Sequence, residues 1–184
     1  MNRAAAIQIL HEHVKGENLR KHMLAAEAVM RALARKFGED EEMWGLAGLL
    51  HDVDWEETKN RPTAHTAVAR KYLTAAGLDS AIVRAIYRHN DLHNEPRETQ
   101  LEKALYVSEE LTGLIIACAL VRPEKKLGLV EPKSVLKRFK SPAFAAGVHR
   151  ETIAQCEALI GLPLAELIEI ELRAMQAIAA DLGL

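Results

Sequence analysis

Leu49-Leu50-His51-Asp52-Val53-Asp54 closes an apolar run that begins at Met43. An ionised carboxylate beside an imidazole at the end of such a run is costly to bury unless hydrogen bonds or a metal compensate it. His22, His65 and His89 fall on other predicted helices, before and after the pair. A lone His-Asp dipeptide carries little information. A pair that ends a hydrophobic helix and has three such companions points to a metal site inside a helical bundle. Neutral imidazole and carboxylate are donors for divalent Zn, Mn, Fe, Co and Ni, and a carboxylate can bridge two ions. The donor set lacks thiolates, which argues against a closed structural zinc site.

Working outward, the pattern is helical throughout. Asn18 reads as the cap of a helix that buries Leu19, Met23, Leu24, Ala26, Val29, Met30 and Leu33 and stops at Gly38. Asp40 caps the next helix, apolar nearly all round through Met43, Trp44, Leu46, Ala47, Leu49 and Leu50, which marks a central buried element. Residues 54–62 are polar and read as a loop. Thr63 starts a helix that carries His65 and ends at Gly77, and Asp79 caps a short helix that ends at His89. A polar loop over 90–98 leads to a long helix from about Thr99 to Leu120, and a final helix pair splits near Gly161-Leu162-Pro163. No strand pattern of any length appears. The expected fold is all-α, a single domain over 1–184 with a core at about 18–120 and C-terminal helices at about 132–182.

Composition agrees. The 184 residues are 49% hydrophobic but only 4% aromatic, so the core must be built from Leu, Ile, Ala and Val, and few Gly and Pro interrupt it. A formal net charge of -2 gives no electrostatic case for a nucleic-acid or membrane partner. No apolar run is long enough to span a bilayer, and the N-terminal stretch lacks the core of a signal peptide. Cys118 and Cys156 each fall in an apolar helical stretch and read as buried thiols, in keeping with a reducing cytoplasm. The basic cluster Lys125, Lys126, Lys133, Lys137, Arg138 and Lys140 reads as a solvated face, and His11, His13, His93 and His149 as surface residues. Nothing in the sequence fixes an oligomeric state.

The spread of His22, His51-Asp52, His65 and His89 with a downstream acid resembles the HD-domain superfamily of metal-dependent phosphohydrolases. Stretches 104–115, 119–126, 134–140 and 144–148 are similar to small bacterial HD-domain proteins, so the resemblance covers roughly 18–150. It implies a helical bundle with one or two divalent ions (Mn, Fe, Zn, Co, Ni or Mg). His22, His51 and Asp52 would hold the first, and His65 and His89 a second bridged by Asp52. Glu109 stands where that family normally has an aspartate ligand. Glutamate offers the same oxygens one carbon further out, and could ligate directly or through water.

The implied activity is hydrolysis of a small phosphorylated substrate such as a nucleotide, since a divalent ion lowers the pKa of water from about 15.7 towards 7 and polarises phosphoryl oxygen. Asp52 and Arg88 are the expected catalytic groups, Arg88 orienting phosphate with Arg84, Lys71 and Arg61 nearby. Asp54, Glu56 and Glu57 could assist proton transfer, although loop acids are usually just solvated. Two alternatives share the ligand pattern: a di-iron HD-domain oxygenase, and a degenerate HD domain that binds a nucleotide or partner without turnover.

Overall fold

A computed structural model describes residues 1–184 and contains helices and turns but no strand. The helices are α1 (Arg3–His13), α2 (Glu17–Phe37), α3 (Glu41–Leu50), α4 (Trp55–Thr58), α5 (Ala67–Ala75), α6 (Ser80–Arg88), α7 (Gln100–Leu120), α8 (Pro132–Phe139), α9 (Arg150–Ile153), α10 (Cys156–Ile160), α11 (Leu164–Ala177) and α12 (Ala179–Leu182). The all-α expectation holds.

Two helices frame the site. α3 is buried at every position from Trp44 to Leu50, as its unbroken apolar run requires. It docks against α2 by backbone approach: a Cβ on Gly48 would lie 2.5 Å from the Ala26 carbonyl oxygen and 2.9 Å from the Glu27 nitrogen. Only a residue without a side chain permits that distance. α7 packs on α2, α3, α6, α8, α9, α10 and α11, and one apolar cluster of 44 buried residues runs from Ala6 to Leu182. Arg3 and Arg31 both bind the buried Glu27 carboxylate, which ties α1 to α2.

Several helix ends sit where the sequence puts them. Gly38 adopts left-handed φ 72° after α2, Asp40 accepts from the Glu42 and Met43 amides, Asp79 caps α6, and Thr99 forms a capping box with Glu102. Three expectations need correction. α2 begins at Glu17, not after Asn18, because the amides of Lys15 and Gly16 donate to Glu56 at 2.9 and 2.7 Å, a partner forty residues away. The segment 54–62 contains the helical turn α4. α5 starts at Ala67 rather than Thr63, since Thr66 takes the left-handed conformation (φ 66°) and breaks the helix just after His65. An unexpected helix, α1, precedes α2, capped by Asn2. Both cysteines are free and buried, as expected. No helix is long and apolar enough to cross a membrane.

Candidate metal centre

The structure brings His22, His51, Asp52, His65 and His89 together. Potential ligand atoms of His22, His51 and Asp52 lie within 4.8 Å of one another, as do those of Asp52, His65 and His89, so Asp52 belongs to both groups. Its carboxylate lies 3.7 Å from His51 Nε2, 3.2 Å from His65 Nε2 and 3.4 Å from His89 Nε2. Each imidazole comes from a separate element: His22 from α2, His51 from the end of α3, His65 from the turn before α5 and His89 from the end of α6.

The other ring nitrogens explain the arrangement. His51 Nδ1 donates to the Gly48 carbonyl at 2.8 Å, and His89 Nδ1 to the Ile86 carbonyl at 2.7 Å. His65 Nδ1 donates to Asp54 at 2.8 Å. The Thr112 hydroxyl donates to the Glu109 carbonyl at 2.6 Å, which leaves its lone pair to accept from His22 Nδ1 at 3.1 Å. Each Nδ1 is thereby fixed as the donor, and a neutral ring must present a bare lone pair at Nε2. His22 Nε2 and His51 Nε2 nevertheless face each other at 3.1 Å. Two lone pairs at that distance repel unless a proton or cation lies with them, and the donor set suits a divalent ion.

Burial pushes the His51 pKa down to about 3 and lowers that of His22, so both rings favour the neutral, ligating form. Burial alone would also lower His65, but hydrogen bonds to Asp52 and Asp54 outweigh it and hold its pKa at about 9. Burial disfavours the Asp52 anion, yet the surrounding imidazoles of His51, His65 and His89 keep its pKa well below the usual range.

Glu109 lies beside the first group, its carboxylate 3.9 Å from His22 Nε2. Burial, together with the nearby charges of Glu110, Asp52 and Glu171, raises its pKa well above the usual carboxylate value. A cation at His22 and Asp52 would relieve that cost. Arg88 faces elsewhere: its guanidinium binds Glu95, Glu98 and Glu102, at 3.2, 2.8 and 3.0 Å. Residues adjacent on a helix point about 100° apart, so its place next to His89 in sequence does not carry it to the histidine cluster. Arg84 is likewise bound to Glu102, and Arg61 to Glu57 at an exposed position.

Residues outside the anticipated set hold the histidines of this cluster. Asp54 is fully buried; it orients His65 and accepts the Ala69 amide at 2.9 Å, so it is not a solvated loop acid. His93 and Asn90 both donate to the His65 carbonyl, at 2.9 and 3.1 Å. His93 also stacks on Tyr87 with ring centres 4.1 Å apart, and is half-buried rather than on the surface. The position of Asp54 two residues after the pair, and of Thr112 one turn after Glu109, are the signals that could have found two of them.

A cavity of about 830 Å³ opens onto this cluster. Besides His22, Asp52, His65, His89 and Glu109 its lining includes Leu19, Trp55, Pro62, Leu92, Asp91 and Glu110. His149, although largely exposed, sits at this lining with its amide donating to Glu110 at 3.2 Å.

An all-α bundle that gathers four histidines around one aspartate defines a class of helical metalloprotein. The family model described as HD domain matches residues 19–121, more than half of the chain, and the chain belongs to that family. It is also similar to the protein named Ribonuclease Y of Sulfurovum sp. (strain NBC37-1), 30% identical over 81 residues, which are 44% of this chain and 16% of that relative. No solved structure matches the chain significantly.

Proposed function

We propose that this chain is a single-domain, cytoplasmic, metal-dependent phosphohydrolase acting on a small phosphate ester such as a nucleotide. The observation that carries the reading is the convergence of four Nε2 atoms around Asp52, each with its Nδ1 already committed to an oxygen. His22, His51, Asp52 and Glu109 would hold one divalent ion, and His65 and His89, sharing Asp52, a second. Bound there, the ions supply the acidity that activates water and the charge that polarises a phosphoryl oxygen. The chain's own groups do the rest. Asp52 sits between both ligand sets, Asp54 and Thr112 fix ring orientation, and the cavity walls restrict the ester. HD-family membership supports hydrolysis, and the ribonuclease relative extends the ester class to phosphodiesters. The net charge of -2 and the acidic lining favour a small substrate over a nucleic acid.

Phosphate release from a panel of phosphomonoesters and phosphodiesters, by protein loaded in turn with Mn, Fe, Zn, Co, Ni and Mg, tests the reading. Wild type should release phosphate or cleave a diester with at least one metal, and Asp52→Ala should lose both metal and turnover. Metal-loaded wild type that turns over no ester would instead mark a binding module, and iron-dependent O₂ uptake would mark an oxygenase.

A further inference from the structure

The cavity has two chemically different parts. One is apolar: Leu19, Trp55, Pro62 and Leu92 line it, and Trp55 and Leu92 are 41% and 53% exposed, so both present large apolar surface to the opening. The Trp55 indole meets the His65 ring edge to face, with centres 5.0 Å apart, which fixes the platform directly beside the metal ligands. The other part is acidic, formed by Asp91, Glu109 and Glu110. The lining contains no lysine or arginine. The Arg97 guanidinium at its rim is already bound. It pairs with Asp91 at 2.6 Å and lies over the Tyr106 ring at 3.3 Å.

We infer that the cavity takes a phosphate monoester with a single phosphate and a flat ring system, and that Trp55 is the residue that selects it. The inference rests on the phosphohydrolase reading and narrows its substrate class. One phosphate can be met at the ligand cluster. A second or third would have to extend along the lining, where it meets the Glu110 carboxylate and an Asp91 already paired with Arg97, and no lysine or arginine. Each added anionic group would give up water there with no lysine or arginine to replace it, a cost that grows with their number. The ring portion finds the opposite environment, since an exposed indole accepts the face of any base or comparable aromatic ring and is tolerant of its identity. The volume of about 830 Å³ lies within the range of small-molecule sites and admits a nucleoside-sized body.

Trp44 is 1% exposed, which leaves Trp55 as the tryptophan that a ligand can reach. Indole fluorescence is titrated with adenosine, guanosine, cytidine and uridine 5′-monophosphates, with the matching triphosphates and with inorganic phosphate, at constant free Mg²⁺ or Zn²⁺. The monophosphates should give saturable quenching, the triphosphates should bind at least about tenfold more weakly, and inorganic phosphate should not quench. In parallel, kcat/KM for the preferred nucleoside monophosphate is divided by that for glycerol 3-phosphate. The ratio should fall about tenfold or more in Trp55→Ala, the scale of one base-aromatic stack, and be largely kept in Trp55→Phe. Triphosphates binding as tightly as monophosphates, or a ratio unchanged in folded Trp55→Ala, would overturn the inference. Should wild type release phosphate from no ester, the hydrolase reading falls on its own. The wild-type titration then still decides the ring site, saturable and selective quenching supporting it and its absence overturning it.

Discussion

The two halves of the metal centre are built by different means. His22 and His51 project from α2 and α3, helices fused by the close approach at Gly48, and their Nδ1 atoms rest on Thr112 of α7 and the carbonyl of Gly48 itself. His65 belongs to a turn that ends in the left-handed Thr66, held by the side chains of three other residues, Asp54, Asn90 and His93. The first half is therefore set by helix packing, whereas the second joins His89 at the end of α6 to a His65 that depends on a hydrogen-bonded turn. Helix packing resists displacement as a unit, whereas a turn of this kind loses its geometry when one bond is removed. The first site should be the sturdier.

The largest effect tests the packing half. Gly48→Ala places a methyl group against the Ala26 carbonyl, so α3 must shift from α2; the fold should lose about 1–3 kcal/mol, and metal should weaken at both positions because Asp52 moves with His51. Thermal denaturation with metal analysis measures both, and an unchanged melting temperature would break the contrast. Asp54→Asn tests the turn half. It should weaken the second ion roughly 10- to 100-fold and spare the first, the scale of losing the carboxylate behind a ligating histidine. Competitive chelator titration separates the two ions, and equal loss at both would erase the distinction.

Proton linkage sharpens the same difference. In the metal-free protein the raised pKa of His65, about 9, means that its Nε2 carries a proton at pH 7, whereas His51, near 3, carries none. Binding at the second position should release that proton. Its affinity should rise about tenfold per pH unit up to pH 9, whereas at the first position the proton to be displaced is that of Glu109, whose pKa is also raised. Calorimetry in buffers of different ionisation enthalpy counts the proton. Because the folded-state pKa of His65 lies above its unfolded value, its contribution to metal-free stability is fully present below about pH 6.5 and is lost as pH rises through 9. The melting temperature without metal should fall accordingly. The smallest effect falls on Glu109: Glu109→Ala should weaken only the first ion, and Glu109→Asp should retain it.

The convergence of His22, His51, Asp52, His65 and His89 was legible because a polar pair cannot end an apolar helix without compensation, and caps at Asp40, Asp79 and Thr99 placed the helices that carry it. What the sequence hid was tertiary. The Glu56 carboxylate that meets the start of α2 lies forty residues downstream, so Asn18 looked like the cap. Arg88 was misjudged because neighbours in sequence on a helix face different ways, and the glutamates that claim it lie across a loop. Thr66 gives no local sign of a left-handed conformation, since a β-branched residue rarely adopts one without tertiary support. The orienting partners Asp54, Asn90, His93 and Thr112 become visible only once the ligands they serve have positions.

The central claim is that four histidines share Asp52 in order to hold divalent ions. Elemental analysis of the protein purified without added metal tests it most directly. The account expects up to two divalent ions per chain in wild type, and none in Asp52→Ala. Metal-free wild type that takes up no divalent ion on addition, or full metal content in Asp52→Ala, would contradict it.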